Sequence, residues 1–131
     1  MSPTERPDSC PEPDVILDVR FEAGLLFVSV RNIGAKPAIN VSVTFKKKLV
    51  GLEGTKLISE LALFRRLAFL APQTEIETFL DSSASYFKRR QPARIDALVR
   101  FEDVSGIKYE RRISHDLSIY KEIGYLVRVN H

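Results

Sequence analysis

Two histidines, one cysteine and 17 acidic residues are the groups from which this 131-residue chain could build a reactive or metal-binding site. Their spacing does not favour one. His115 and Asp116 are neighbours, and on a strand neighbouring side chains face opposite ways, so the pair does not chelate one ion. Cys10 lies in the opening stretch MSPTERPDSCPEP and His131 is the last residue, which leaves no Cys/His spacing of a structural zinc site. No Gly-x-Ser-x-Gly elbow is present, and Ser82, Ser83 and Ser85 read as capping and loop residues. Asp96, Glu102 and Asp103 lie close in sequence. Asp96 and Glu102, however, fall on the polar side of an alternating run, where nothing raises a carboxyl pKa for acid chemistry. Gly51-Leu-Glu-Gly54 runs into Thr55-Lys56 and not into a phosphate-loop ending. The expectation is a protein that is not an enzyme and uses no metal or cofactor.

Cationic residues are more suggestive. Lys46-Lys47-Lys48, Arg65-Arg66, Lys88-Arg89-Arg90 and Arg111-Arg112 form four short basic clusters. In a β-sandwich the strand ending at Lys46 and the connection containing Lys88 fall at the same pole. Lys46, Lys47, Lys48, Lys88, Arg89 and Arg90 are therefore a candidate anion-binding group for nucleic acid or an anionic membrane surface. The competing reading is that they solvate strand ends and discourage edge pairing, which a net charge of only +3 favours.

The elements that must position these groups are mostly strands. Val15–Phe21 and Leu25–Ile33 flank a Glu-Ala-Gly turn, with Leu26, Val28 and Val30 on one face and Phe27, Ser29 and Arg31 on the other. After Asn32, Gly34 and Pro37, Ile39, Val41, Val43 and Phe45 alternate with polar residues, and Gly34 is expected to supply a positive φ. Ser59–Leu70 fits both a helical and an alternating pattern; two short strands are the expected form. Thr74–Leu80 alternates, and Asp81 is the expected N-cap of one helical turn. Ile95, Ala97, Val99 and Phe101 mark another inward face, followed by a tight hairpin at Asp103–Gly106. Ile107, Tyr109, Ile113 and Leu117 continue on the return strand. Arg111 and His115 interrupt that face, so Arg111, Ile113 and His115 are the candidate interface of an exposed sheet edge. Ile119–Val129 fits a short last strand or an unanchored tail.

These runs, with turn signals between them and no long helix, predict an all-β antiparallel sandwich of about seven to eight strands, of Ig-like arrangement. Residues 1–13, rich in proline and charge, are expected to be a disordered tail, and 14–131 a single domain of a size that can bury one core unaided. One cysteine fits a reducing compartment, and no apolar leader or membrane-length run is present, so a soluble cytoplasmic protein is expected.

The text also resembles known modules. VSVRNIGAKPAINVSV is similar to the V-x-N-x-G-x-x-P-A-x-N-V stretch of bacterial Ig-like domains of the CARDB type. FLAPQTEIETFLDSS and FEDVSGIKYERRISHDLSIY resemble a Pro-Gly-containing segment and an ending found in many uncharacterised bacterial proteins. The chain carries Pro72-Gln73 where that pattern prefers Pro-Gly. The resemblance spans about residues 14–121, and its motifs are turn and packing residues. It implies the fold and no reaction. The function expected is a non-enzymatic module that binds a partner protein through loops or a sheet edge. The alternative is electrostatic contact with nucleic acid or anionic lipid, and a homo-oligomer is compatible with either.

Overall fold

The computed structural model describes residues 12–122. Two antiparallel sheets stack into a sandwich. The first has the order β1 (Val15–Glu22), β2 (Leu25–Asn32), β7 (Thr74–Ser82). The second has the order β6 (Leu67–Leu70), β3 (Ala38–Phe45), β8 (Arg94–Glu102), β9 (Lys108–Asp116). A ribbon of two residues on each side, β4 (Val50–Gly51) and β5 (Lys56–Leu57), raises the strand total among the described residues to nine. Strands that short carry no alternation, so the expected seven or eight did not include them.

The core follows from period-two patterning. Val15, Leu17, Val19 and Phe21 of β1 and Leu26, Val28 and Val30 of β2 are buried, and they meet Val41, Val43, Ile95, Val99 and Phe101 from the other sheet. Ala23 and Gly24 take φ of 52° and 82°, a two-residue hairpin turn whose twist matches the strands it joins. At the β8–β9 hairpin Gly106 sits at φ 89°, as its place in the turn requires. Asp103 locks that turn by accepting from the Ser105 and Ile107 amides at 2.8 and 3.0 Å.

Several local expectations are corrected. In β3 the register shifts between Ile39 and Ser42, where Asn40 adopts φ 51°. The bulge turns Ile39 away from the core and puts Ala38 in it. Ser59–Leu70 is not two strands. A 3-10 turn at Ile58–Glu60 leads to the short helix α1 (Ala62–Arg65), and only Leu67–Leu70 is extended. Phe64, fully buried edge-on against Phe45 at 5.2 Å, fixes that helical turn. The helix α2 (Ser83–Lys88) is capped by Ser82, whose hydroxyl accepts from the Ser85 amide at 3.1 Å; Asp81 is buried for another purpose. Residues 118–122 form α3 (Ser118–Glu122), where a strand or loose tail was expected, and Tyr120 stacks on Phe21 at 4.7 Å. The remainder of that stretch and residues 1–11 lie outside the described residues. Packing begins before residue 14, because Pro13 is buried and the Glu12 carbonyl accepts from the Ala35 amide at 3.2 Å.

The turn between β2 and β3 is a structural corner. Asn32 is 1% exposed, and its amide group makes four hydrogen bonds. Oδ1 accepts from the Asp14 and Gly34 amides at 3.2 and 2.9 Å, while Nδ2 donates to the Lys36 and Leu70 carbonyls at 2.9 and 3.1 Å. Leu70 belongs to the second sheet, so one side chain pins both sheets at this pole. Gly34 is needed here for room and not for a positive φ. A Cβ at that position would overlap the Glu12 carbonyl and come within 2.7 Å of the Asp14 nitrogen. Gln73 takes φ 57° in the neighbouring turn, and its amide donates to the Ile33 and Gly34 carbonyls at 3.0 and 2.9 Å. Those bonds offset the strain that a glycine would avoid.

The outer face of the three-stranded sheet is self-paired. Arg20 donates to both carboxylate oxygens of Glu77 at 2.9 and 2.8 Å and lies over the Phe27 ring at 4.2 Å. Arg31 reaches Asp18 at 3.2 Å and Glu75 at 3.9 Å.

Replacing Asn32 by Ala leaves buried donors and acceptors unmet and is expected to lower unfolding stability by about 3 kcal/mol in urea titration. The near-isosteric Asn32→Asp destabilises as well, because it aims a carboxylate at two carbonyls. The Arg20 hydrogen bond holds Glu77 below the ordinary carboxylate range. Its folded pKa is thus the lower one, so its contribution is complete above the ordinary carboxylate range and disappears as pH falls through the depressed value. Melting temperatures across acid pH should show wild type and Glu77→Gln converging as the solution is acidified.

Candidate functional site

Strand β3 ends and β8 begins at the same pole, as their pairing of Phe45 with Ala97 requires. The loop after β3 is stitched to the segment after α2 there. Arg89 donates to the Val50 carbonyl at 3.1 Å, and the Val50 amide donates to the Gln91 side chain at 3.2 Å. The two sequence-distant basic clusters therefore share one end of the sandwich.

Their members do different work. Lys46, Lys47, Lys48, Lys88 and Arg90 are exposed, and among the described residues none has a side-chain hydrogen bond or ion pair. Arg89 is spent inside the fold. Its guanidinium pairs with Asp81, which is 2% exposed. The Asp81 carboxylate also accepts from the Ser82 amide at 2.8 Å and the Glu53 amide at 3.3 Å. Beside them the buried Tyr86 donates its hydroxyl to the Pro92 carbonyl at 2.6 Å, and burial pushes its phenol pKa upward. Arg89 is a brace and leaves the candidate anion-binding group.

From this pole a shallow concavity of about 580 Å³ extends over the outer face of the four-stranded sheet. Lys46, Arg94, Asp96, Leu98, Arg112 and Ser114 line it. Ser114 donates to Asp96 at 2.6 Å and holds that carboxyl below its ordinary range, with help from Arg94 and Lys46. Arg112 is exposed and has no partner among the described residues. The sequence reading missed Arg94 as part of this face. The signal was available in the hairpin register, since pairing outward from the Asp103–Gly106 turn sets Arg94 opposite Asp116 and Leu98 opposite Arg112.

The candidate edge residues take another course. Strand β9 does lie at the sheet margin, but Arg111, Ile113 and His115 face inward and are only partly exposed. Arg111 Nε donates to Asp14 Oδ1 at 2.9 Å, and His115 Nε2 lies 2.7 Å from the Leu17 carbonyl. A carbonyl only accepts, so Nε2 carries the proton. Both side chains reach across the gap between the sheets, Arg111 to the residue before β1 and His115 to β1 itself. Ile113 packs against the core.

Among the described residues no three His, Cys, Asp or Glu side chains gather as metal ligands, and no helix is long and apolar enough to cross a membrane. Substituting Arg89 by Gln strands a buried carboxylate and should lower stability by about 3 kcal/mol. Lys88→Gln, one residue away and solvent-exposed, should leave the unfolding midpoint unchanged.

No curated protein matches this chain, and no solved structure does. A family model described as Domain of unknown function (DUF8453) matches residues 5–121. That span includes both sheets, the Asn32 corner and the basic pole, and the chain belongs to this family.

Proposed function

We propose that the domain is a non-enzymatic, Ig-like interaction module whose basic pole docks an acidic surface of a partner protein. The carrying observation is the imbalance between the two outer faces. On the three-stranded sheet each arginine is matched to a carboxylate. The pole of the four-stranded sheet keeps Lys46, Lys47, Lys48, Lys88 and Arg90 without ion-pair partners among the described residues. Unpaired cations gathered at one end of the sandwich raise the local concentration of anionic groups and speed their approach. The strand order, with the first, second and seventh strands in one sheet and the third and eighth central in the other, supports the Ig-like reading, as does the motif resemblance. The non-enzymatic reading is supported by the structural use of the carboxylates: Asp81 braces the pole, Asp103 locks a hairpin, and Asp116 caps the Ser118 amide at 2.9 Å.

A second reading, binding of nucleic acid or lipid phosphates, draws on the same cations. Two features disfavour it. No aromatic side chain lines the concavity to stack a base, and the net charge is only +3.

The two are separated by titrating the protein with a poly-glutamate peptide, duplex DNA and phosphatidylserine vesicles at low and physiological salt. The peptide is expected to bind in a salt-sensitive manner. Glutamine at Lys46, Lys47, Lys48, Lys88 and Arg90 together should weaken it by about tenfold or more, while Lys36→Gln at the opposite pole should have no effect. DNA or vesicles binding more tightly than the peptide would select the second reading. Binding of none of the three at low salt would refute both.

A further inference from the structure

Strand β9 offers a surface that the basic pole does not explain. Two bonds at its ends fix which of its peptide groups face β8: the Asp103 amide donates to the Ile107 carbonyl at 2.9 Å, and the Leu117 amide to the Ala93 carbonyl at 2.7 Å. Odd-numbered residues therefore make the ladder with β8. The N–H and C=O groups of Lys108, Glu110, Arg112 and Ser114 point out of the sheet, and all four residues are exposed. A nine-residue margin of this kind is a template for another strand.

We propose that the strand it accepts is β9 of a second copy of this chain, antiparallel, with Glu110 opposite the second copy's Arg112. Geometry restricts the choices, because outward-facing peptide groups pair only with outward-facing ones, so even-numbered residues must face even-numbered residues. Charge then selects among the registers with long overlap. Setting Glu110 against Glu110 also sets Lys108 against Arg112, with like charges throughout. Setting Arg112 against Arg112 opposes Lys108 to Asp116 at the two ends but places two guanidiniums that have no carboxylate of their own on the two-fold axis. Sliding further opposes Glu110 to Asp116. One long register opposes Glu110 to Arg112 and, by symmetry, Arg112 to Glu110, with Lys108 facing Ser114 on either side; Arg111 then meets Arg111 on the axis, each guanidinium already matched to its own Asp14. The next register along, with Arg112 facing Asp116, overlaps a shorter stretch of the strand, 112–116 in place of 108–114.

The outward side chains of β9 suit that register. Arg112 has no partner among the described residues, and Glu110 holds Arg100 at 3.0 Å with both groups more than half exposed. The Glu110 carboxylate is thereby set between Arg100 of its own sheet and the second copy's Arg112. Arg111 already donates to the outward Glu110 carbonyl at 3.0 Å, which leaves that oxygen a second lone pair for the incoming amide. Asp14 offsets the charge of the Arg111 guanidinium beside that carbonyl. The product is an isologous pair in which the two four-stranded sheets become one continuous sheet.

Sedimentation equilibrium of the full chain up to about 1 mM should give a monomer–dimer equilibrium. Glu110→Arg and Arg112→Glu, each alone, should weaken the dimer by about tenfold or more, because each creates two like-charge pairs. Combining them should restore wild-type affinity to within about threefold. In the wild type, exchange of the Arg112 and Ser114 amide protons should slow as concentration rises while Glu75 and Glu77 on β7 stay unchanged. That measurement needs no variant to fold. A strict monomer at the highest concentration, single reversals without effect, a double reversal that fails to rescue, or a dimer in which the Arg112 and Ser114 amides keep their exchange rates would each overturn the assignment.

Discussion

The carboxamide of Asn32 is the interaction on which the rest of this sandwich is hung. Stacked sheets gain their stability from apolar burial, which is indifferent to direction and does not by itself fix how the layers meet. Asn32 supplies the missing direction. Its two acceptor and two donor contacts join the approach to β1, the turn after β2 and the end of β6, in a place too dry for water to serve instead. The chain must pass so close behind it that only glycine fits at position 34. Gln73 ties the adjoining turn to the same carbonyls.

The other pole is locked by the same physical device with charge in place of an amide. Asp81 is out of water, and that placement is tolerable only because Arg89 and two backbone amides satisfy it. In return the ion pair draws the loop with β4 and β5 against β7. Gly51 lies there because a Cβ would overlap the Leu80 carbonyl. The cations that surround Arg89 remain at the surface because this network has no further acceptor for them. Structural and free positive charge thus sit one residue apart.

Much of this architecture was legible in the chain because alternation and turn chemistry are local. The hairpins at Ala23-Gly24 and Asp103–Gly106 follow from glycines that tolerate left-handed backbone, and the inward faces of β2 and β8 follow from every second side chain. What failed to show was whatever depends on a distant partner. The bulge at Asn40 breaks the period without altering composition, so Ile39 was read on the wrong face. Ser59–Leu70 was ambiguous because Phe64 chooses helix only when Phe45 is there to receive it. Arg89 is indistinguishable in sequence from Lys88 and Arg90; its role is set by Asp81 eight positions earlier. Arg111 and His115 were correctly placed on a marginal strand, yet their targets lie near the start of the chain.

That last separation bears on how the molecule is made. Arg111 meets Asp14 across 97 positions and His115 meets Leu17 across 98. While the polypeptide is emerging from a ribosome, the outward carbonyl of Leu17 has no imidazole to accept from, and that flank of the sandwich stays unsealed until β9 has been extruded. Contacts of such long sequence span are slow to form, and nascent chains interrupted before them present a bare first strand.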